Sequence, residues 1–344
     1  MHKFTEIIGQ DHIREHLQGA LKNGKVSHAY ILDGPRGSGK RFIADIFASA
    51  LLCASRTQDG ENLPEPCGEC ISCIQAENGS NPDIIHVMHA KPKTVSIEEI
   101  RAMRDDVRIK PFSAEYKIYI LDDAQMMPPG AQNALLKTLE EPPAYAVLFL
   151  LADGTQNFLP TVLSRCVTLR MRPVPGTEIR TWLEKVRNIP RDRAAAISEL
   201  SGGSIGQASK LAESGTFEEE RSSMVRLMTE LPAYDCHRIA ETASALAGTA
   251  DRELKASELI RLWIRDLMVA KATGSTERIA FSDQADTIAD AAARIPDEGM
   301  EKTAAALELY DRRIKANIKE ETALEMLLLT VRDQLRTSDH RRQI

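Results

Sequence analysis

The sequence predicts an α/β module built on a parallel sheet over its first half, followed by an all-helical region. Three observations carry this. Up to about residue 172, short and wholly apolar strands alternate with helices, the pattern of a parallel sheet covered on both faces. A glycine-rich turn joins one of these strands to a helix. Beyond Pro173-Val174-Pro175-Gly176, a linker signal, almost no strand pattern remains. The 344 residues suggest two or three domains. With 43% apolar and 27% charged residues the composition is that of a globular chain, which excludes disordered and fibrous classes. A formal charge of −6 argues against a uniformly basic nucleic-acid coat but leaves room for a local basic patch. The longest apolar run, Ala146 to Ala152, is too short to span a bilayer, and Met1 to Glu6 has no apolar signal core. A soluble cytoplasmic protein without a membrane partner is expected, so the six cysteines must be explained in a compartment that disfavours disulfides.

The elements are expected in this order. Leu17 to Leu21 lies in an amphipathic helix, and Ala29 to Leu32 is a strand. A helix runs from about Lys40 to Leu52, and Asp83 to Val87 is a second strand. Ser96 and Glu99 have capping-box spacing and open a helix. Lys117 to Leu121 is a third strand that ends in acids. Ala131 to Leu139 is helical and is stopped by Pro142-Pro143. Val147 to Leu151 and Cys166 to Leu169 are the fourth and fifth strands. Residues 177–213 read as a small helical unit. Longer helices follow, one from Leu254 to Ala270, with Leu259, Trp263 and Leu267 at helical spacing, and one from Met300 to Leu335. The basic tail Arg336 to Gln343 is expected to fray.

Gly34-Pro35-Arg36-Gly37-Ser38-Gly39-Lys40 follows a strand and opens a helix, the context a phosphate-binding loop requires. Gly34, Gly37 and Gly39 let backbone N–H groups turn toward a phosphate, and Lys40 reaches the terminal phosphates. The next residue should be Ser or Thr, to ligate Mg²⁺; here it is Arg41, a cation with no acceptor. The loop therefore reads as a phosphate site without its metal ligand. Mg²⁺ is not expected, hydrolysis should be poor or absent, and ATP binding is left open. Asp122 and Asp123, at the end of a strand after the loop, are the second acidic element of this degenerate nucleotide site.

Cys67, Cys70 and Cys73 form a C-x2-C-x2-C core, with a fourth cysteine, Cys53, upstream across thirteen intervening residues. Four thiolates suit a structural, tetrahedral Zn²⁺ with no open position for catalysis. Two disulfides or an iron–sulfur cluster are the alternatives. Cys166 and Cys236 are expected as buried thiols, and His86 and His89 as strand or surface residues.

Together these pieces resemble a clamp-loader subunit of the AAA+ superfamily. The resemblance rests on Phe4-Thr5-Glu6-Ile7-Ile8-Gly9-Gln10, on His28 to Leu32 leading into the loop, and on the cysteine module after the loop helix. Its most specific part is Asn133 to Pro143 (NALLKTLEEPP), and Leu163-Ser164-Arg165-Cys166 matches the family's Ser-Arg-Cys motif. The match is strong to about residue 172 and weaker beyond, where Arg313 to Asn317 resembles the last collar helix. It implies an AAA+ module (1–172) with a zinc insertion (53–73), a helical lid (173–215) and a helical collar used for oligomerisation (216–344).

In that family Arg165 would be an arginine finger, supplied in trans to a neighbour's ATP. Gly203-Ser204-Ile205-Gly206 lacks the arginine of the sensor-2 pattern, and Asp153 stands near the place of the polar sensor-1 residue, where it would face phosphate unfavourably. The resemblance is thus to subunits that complete a neighbour's site rather than hydrolyse ATP themselves. The implied partners are gamma/tau-like motor subunits and a delta-like subunit, with the sliding clamp and primer-template DNA reached through the assembly. An ATP-hydrolysing motor subunit is the alternative. A zinc-dependent nucleic-acid module on a decayed nucleotide fold ranks lowest. The first 172 residues carry 19 Lys+Arg against 21 Asp+Glu, and no stretch interleaves basic and aromatic residues.

Overall fold

The computed structural model describes residues 2–58, 63–87, 94–247, 255–276 and 279–336. The chain forms two compact units, Met1–Glu178 with Gly203–Gly206, and Ile179–Gly202 with Gln207–Ile344.

The first unit contains α1 (Asp11–Lys22), β1 (Ala29–Asp33), α2 (Lys40–Leu51), β2 (Thr57–Gln58), β3 (Pro64–Glu65), α3 (Ile71–Glu77), β4 (Ile84–Val87), α4 (Ile97–Val107), β5 (Lys117–Leu121), α5 (Pro129–Glu140), β6 (Ala146–Ala152), α6 (Pro160–Leu163) and β7 (Val167–Arg170). Its main sheet has the order β4-β5-β6-β1-β7, and every pairing in it is parallel. Buried residues lie on both sheet faces. One cluster joins Phe4, Ile13, Leu17 and Phe47 to Tyr30 and Phe149. The other joins Ile100, Met103, Leu135 and Leu139 to Ile31, Tyr119 and Leu148. This two-sided burial explains the strands' continuous apolar runs: all seven residues of β6 and all five of β5 are buried.

The five expected strands are present, with ends shifted by a residue or so. The expected capping box is present too. Ser96 Oγ accepts from Glu99 N at 3.2 Å, and Glu99 Oε2 accepts from Ser96 N at 2.8 Å. The insertion after α2 adds the antiparallel pair β2–β3. Its Glu65, only 3% exposed, accepts from Phe4 N at 2.8 Å and Thr5 N at 3.1 Å. The cysteine insertion therefore pins the start of the chain.

From here on the structure is helical, and the described residues hold no strand after Arg170. The remaining elements are α7 (Gly176–Lys185), α8 (Arg191–Leu200), α9 (Ile205–Glu213), α10 (Phe217–Glu230), α11 (Cys236–Ala247), α12 (Ala256–Thr273), α13 (Ala285–Arg294), α14 (Asp297–Lys315) and α15 (Glu320–Arg336). Within the second unit α12 is central. Leu259, Trp263 and Leu267 are at most 2% exposed, and Trp263 meets Phe281 edge-on at 5.3 Å. Asp266, fully buried, accepts from Ala280 N and Phe281 N at 2.8 Å each and from Arg265 Nη1 at 2.8 Å. These α12 residues are core of their own unit.

Three sequence expectations are corrected. The single helix expected from Met300 to Leu335 is two helices, α14 and α15, because Asn317 turns left-handed at φ 58° between them. Cys236 is exposed at the start of α11 rather than buried. Cys166 is only partly covered, though burial still pushes its thiol up to about 12. Arg336 closes α15 and donates to Tyr234 O at 2.8 Å. His89, Leu254 and the rest of the expected tail lie outside the described residues.

Candidate functional site: a self-paired phosphate loop, a four-cysteine knuckle and Arg165

In parallel α/β sheets, ligands gather outside the carboxyl ends of the strands. Three strand ends meet there in this protein. Gly34 to Gly39 follow β1, Asp122-Asp123 follow β5, and Asp153 follows β6. The register places Asp33 beside Ala152, and Gly34 N donates to Ala152 O at 3.0 Å. The loop requires its glycines. Gly37 and Gly39 have φ of 75° and 94°, and Gly39 is the N-cap of α2. Lys40 is the first residue of α2, so its side chain folds back over the loop.

Arg36, Lys40, Arg41, Asp122, Asp123 and Asp153 line one open cleft. The structure pairs them with one another. Lys40 Nζ contacts Asp153 Oδ1 at 2.6 Å and also donates to the carbonyls of Gly34 and, at 3.0 Å, Pro35. Arg41 Nη1 donates to Asp122 Oδ2 at 2.8 Å, and its Nη2 faces His86 Nδ1 at 3.0 Å. Arg36 reaches Asp123 and Asp153 at 3.4 Å each. Burial pushes the Asp45 carboxyl up to about 6 against the pull of Arg41. Burial and Arg41 together hold His86 below its usual range. The backbone closes the far side of the loop: Gly206 N donates to Gly37 O at 2.8 Å. A Cβ at 206 would stand 2.8 Å from Gly37 O, so no side chain fits there while the loop stays in place.

The four cysteines also converge. Their sulfurs all lie within 4.8 Å of one another, with Cys67–Cys73 at 3.8 Å and Cys70–Cys53 at 4.0 Å. A disulfide would need about 2.05 Å. Tetrahedral zinc with bonds of about 2.3 Å places its sulfurs about 3.8 Å apart. Backbone N–H groups complete the knuckle: Cys67 N points at Cys53 Sγ and Cys70 N at Cys67 Sγ, both at 3.4 Å. The N–H groups of Glu69 and Cys70 lower the Cys67 thiol to about 6, whereas burial raises the thiols of Cys53 and Cys73. The donor set fits a tetrahedral metal ion such as zinc.

Arg165 follows α6 and is not among the residues lining the cleft. Its Nη2 meets Glu140 Oε1 at 3.0 Å, and its Nη1 donates to Thr161 O at 3.0 Å and faces Ser164 Oγ at 3.2 Å. About a third of the side chain stays exposed, at 35%. Sequence reasoning had named the glycine-rich loop, the strand-end acids, the four cysteines and Arg165. It missed Arg36 as part of the cleft, Asp45 and His86 as neighbours of Arg41, and Glu140 as the partner of Arg165. The only signal for Glu140 was its position inside NALLKTLEEPP.

Comparison with known proteins bears on this module. Residues 9–175, just under half the chain, match the family described as DNA polymerase III, delta subunit. A DNA polymerase III subunit tau from Bacillus subtilis is 40% identical over 185 residues, covering 54% of this chain and 31% of that protein. A tau/gamma subunit from Haemophilus influenzae is 31% identical over 305 residues, covering 81% of this chain and 43% of that protein. The chain thus spans less than half the length of these two relatives. A solved gamma-subunit-related protein from Thermotoga maritima is 18% identical, covering 93% of this chain and all of that one. Its TM-score is 0.43. The phosphate loop, the four cysteines, the strand-end acids and Arg165 all fall inside the stretch that matches the DNA polymerase III delta-subunit family.

Proposed function

We propose that this chain is a non-catalytic, delta-prime-like subunit of a DNA polymerase III clamp loader. The reading is supported by one contrast within the AAA+-like module. The cations and acids of its own phosphate loop pair with one another, Lys40 with Asp153 and Arg41 with Asp122, while Arg165 stands outside that cleft on the partly exposed Glu140. In this reading the module spans residues 1–172, with a lid over 173–215 and a collar over 216–344. Cys53, Cys67, Cys70 and Cys73 hold one structural zinc that shapes the insertion and takes no part in chemistry. The likeness to tau and gamma subunits supports a place in a clamp-loader assembly beside such subunits. Arg165 exchanges Glu140 for the triphosphate of an adjacent motor subunit, where a planar guanidinium stabilises the charge spread over the transferring phosphoryl oxygens. The clamp and primer-template DNA are engaged by the assembly. No described helix is long and apolar enough to cross a membrane.

A motor-subunit reading draws on the 40% identity to a tau subunit. Arg41 in place of the metal-ligating hydroxyl, Asp153 on Lys40 and the side-chain-free Gly206 weigh against it.

The test is assembly with motor subunits from the same organism. The full chain is expected to co-purify with them and to raise their DNA-stimulated ATP hydrolysis, and Lys40→Ala is expected to leave that stimulation unchanged. A chain that fails to join the motors, or whose stimulation vanishes with Lys40→Ala, contradicts the reading.

A further inference from the structure

A working phosphate loop presents two electrostatic poles. Its lysine takes the negative charge of the terminal phosphates, and a metal ion bridges those phosphates to the acid at a strand end. In this protein both poles are filled from within the chain. Lys40 has three N–H donors, and Asp153 Oδ1 and the carbonyls of Gly34 and Pro35 supply three acceptors. The Lys40 side chain is only 11% exposed, so little of it remains for a ligand. At the other pole the Arg41 guanidinium sits on Asp122, where a metal would be the counter-charge. The exposed Arg36 adds longer contacts, at 3.4 Å each, to Asp153 and to Asp123, the neighbour of Asp122.

We propose that Asp153 is a built-in plug of the phosphate loop, an internal anion that occupies Lys40 where a phosphate would otherwise bind. The loop keeps the glycine geometry of a phosphate site but is permanently satisfied. An incoming triphosphate has to displace a charge-assisted contact and then lie beside the expelled carboxylate. Arg41 makes the companion substitution at the metal pole, so restoring a hydroxyl there alone leaves Lys40 engaged. The inference rests on reading Gly34 to Lys40 as a phosphate loop. It does not depend on whether Arg165 serves a neighbour.

The experiment measures binding of ATP and of inorganic tripolyphosphate to the full, zinc-loaded chain without added Mg²⁺ or chelator, so that no metal contributes at the loop and the cysteine site stays intact. Wild type is compared with Asp153→Asn, Asp153→Ser and Asp153→Asn with Lys40→Ala, each checked for a cooperative thermal transition. Two different replacements are used so that a folding defect in one leaves the other to decide. Either folded Asp153 variant is expected to bind both probes at least about tenfold more tightly than wild type, the scale of one charge-assisted hydrogen bond. The gain is expected to vanish when Lys40 is also removed. Equal affinity of wild type and the folded variants overturns the plug, as does a gain that survives loss of Lys40. Failure here leaves the co-assembly result untouched. Failure of co-assembly likewise leaves this binding comparison untouched.

Discussion

Arg165→Ala is expected to leave the subunit folded and able to assemble while sharply reducing DNA-stimulated ATP hydrolysis by the assembled complex. The side chain's contacts within the chain are one partly exposed ion pair with Glu140 and hydrogen bonds to Thr161 and Ser164, so its removal costs the fold about 1 kcal/mol or less. At the facing ATP the loss is of another order. Arginine fingers supplied across an interface contribute about 10³-fold or more to hydrolysis. Turnover should fall to what the remaining sites sustain, and the defect should persist at saturating ATP. Arg165→Lys should not restore it, because an ammonium cannot reproduce the planar two-pronged contact. Glu140→Gln should release the guanidinium and keep turnover at or above the wild-type level. Steady-state ATPase of the reconstituted complex, with and without primer-template DNA, is the measurement. Unchanged ATPase with Arg165→Ala would rule out the role in trans.

The second large effect concerns the cysteine knuckle. Purified chain is expected to carry one zinc per molecule and Cys70→Ser to carry close to none. A structural zinc contributes folding free energy directly to a small module that lacks its own core. The loss should spread beyond the insertion, because Glu65 within it holds the backbone N–H groups of Phe4 and Thr5. Hydrogen exchange at those two amides should therefore quicken in Cys70→Ser, while the amides of β5 and β6, buried in the sheet, stay protected. Elemental analysis and exchange mass spectrometry read the two outcomes. Wild-type chain without bound zinc would refute the metal site.

The central strands β1, β5 and β6 were legible because they are buried on both faces, so each announced itself as a near-continuous apolar run, while the edge strands β4 and β7 are only partly covered. Capping at Ser96 and the stop at Pro142-Pro143 were legible because they are local chemistry. The break at Asn317 was not. The helical periodicity runs across it, and the one cue was an asparagine's tolerance of a left-handed turn. Cys236 misled because lone cysteines are usually buried, and sequence gave no sign that this one faces outward at a helix start. The motifs of the site could be read individually, since each is a short run with its own chemistry. Their pairing could not. Lys40 and Asp153 are 113 residues apart, Arg41 and Asp122 are 81 apart, and only the parallel register brings those strand ends together. Motif by motif the site read as degenerate, with Arg41 and Asp153 out of place, and the fold sets those two residues against the strand-end acid Asp122 and the loop lysine Lys40.

This chain's own nucleotide site is expected to do no chemistry, and hydrolysis of Mg²⁺-ATP by the isolated chain is the deciding measurement. No turnover above background is expected, with Lys40→Ala indistinguishable from wild type. Mg²⁺-dependent turnover by the wild type that is abolished by Lys40→Ala would contradict it and establish a motor subunit instead.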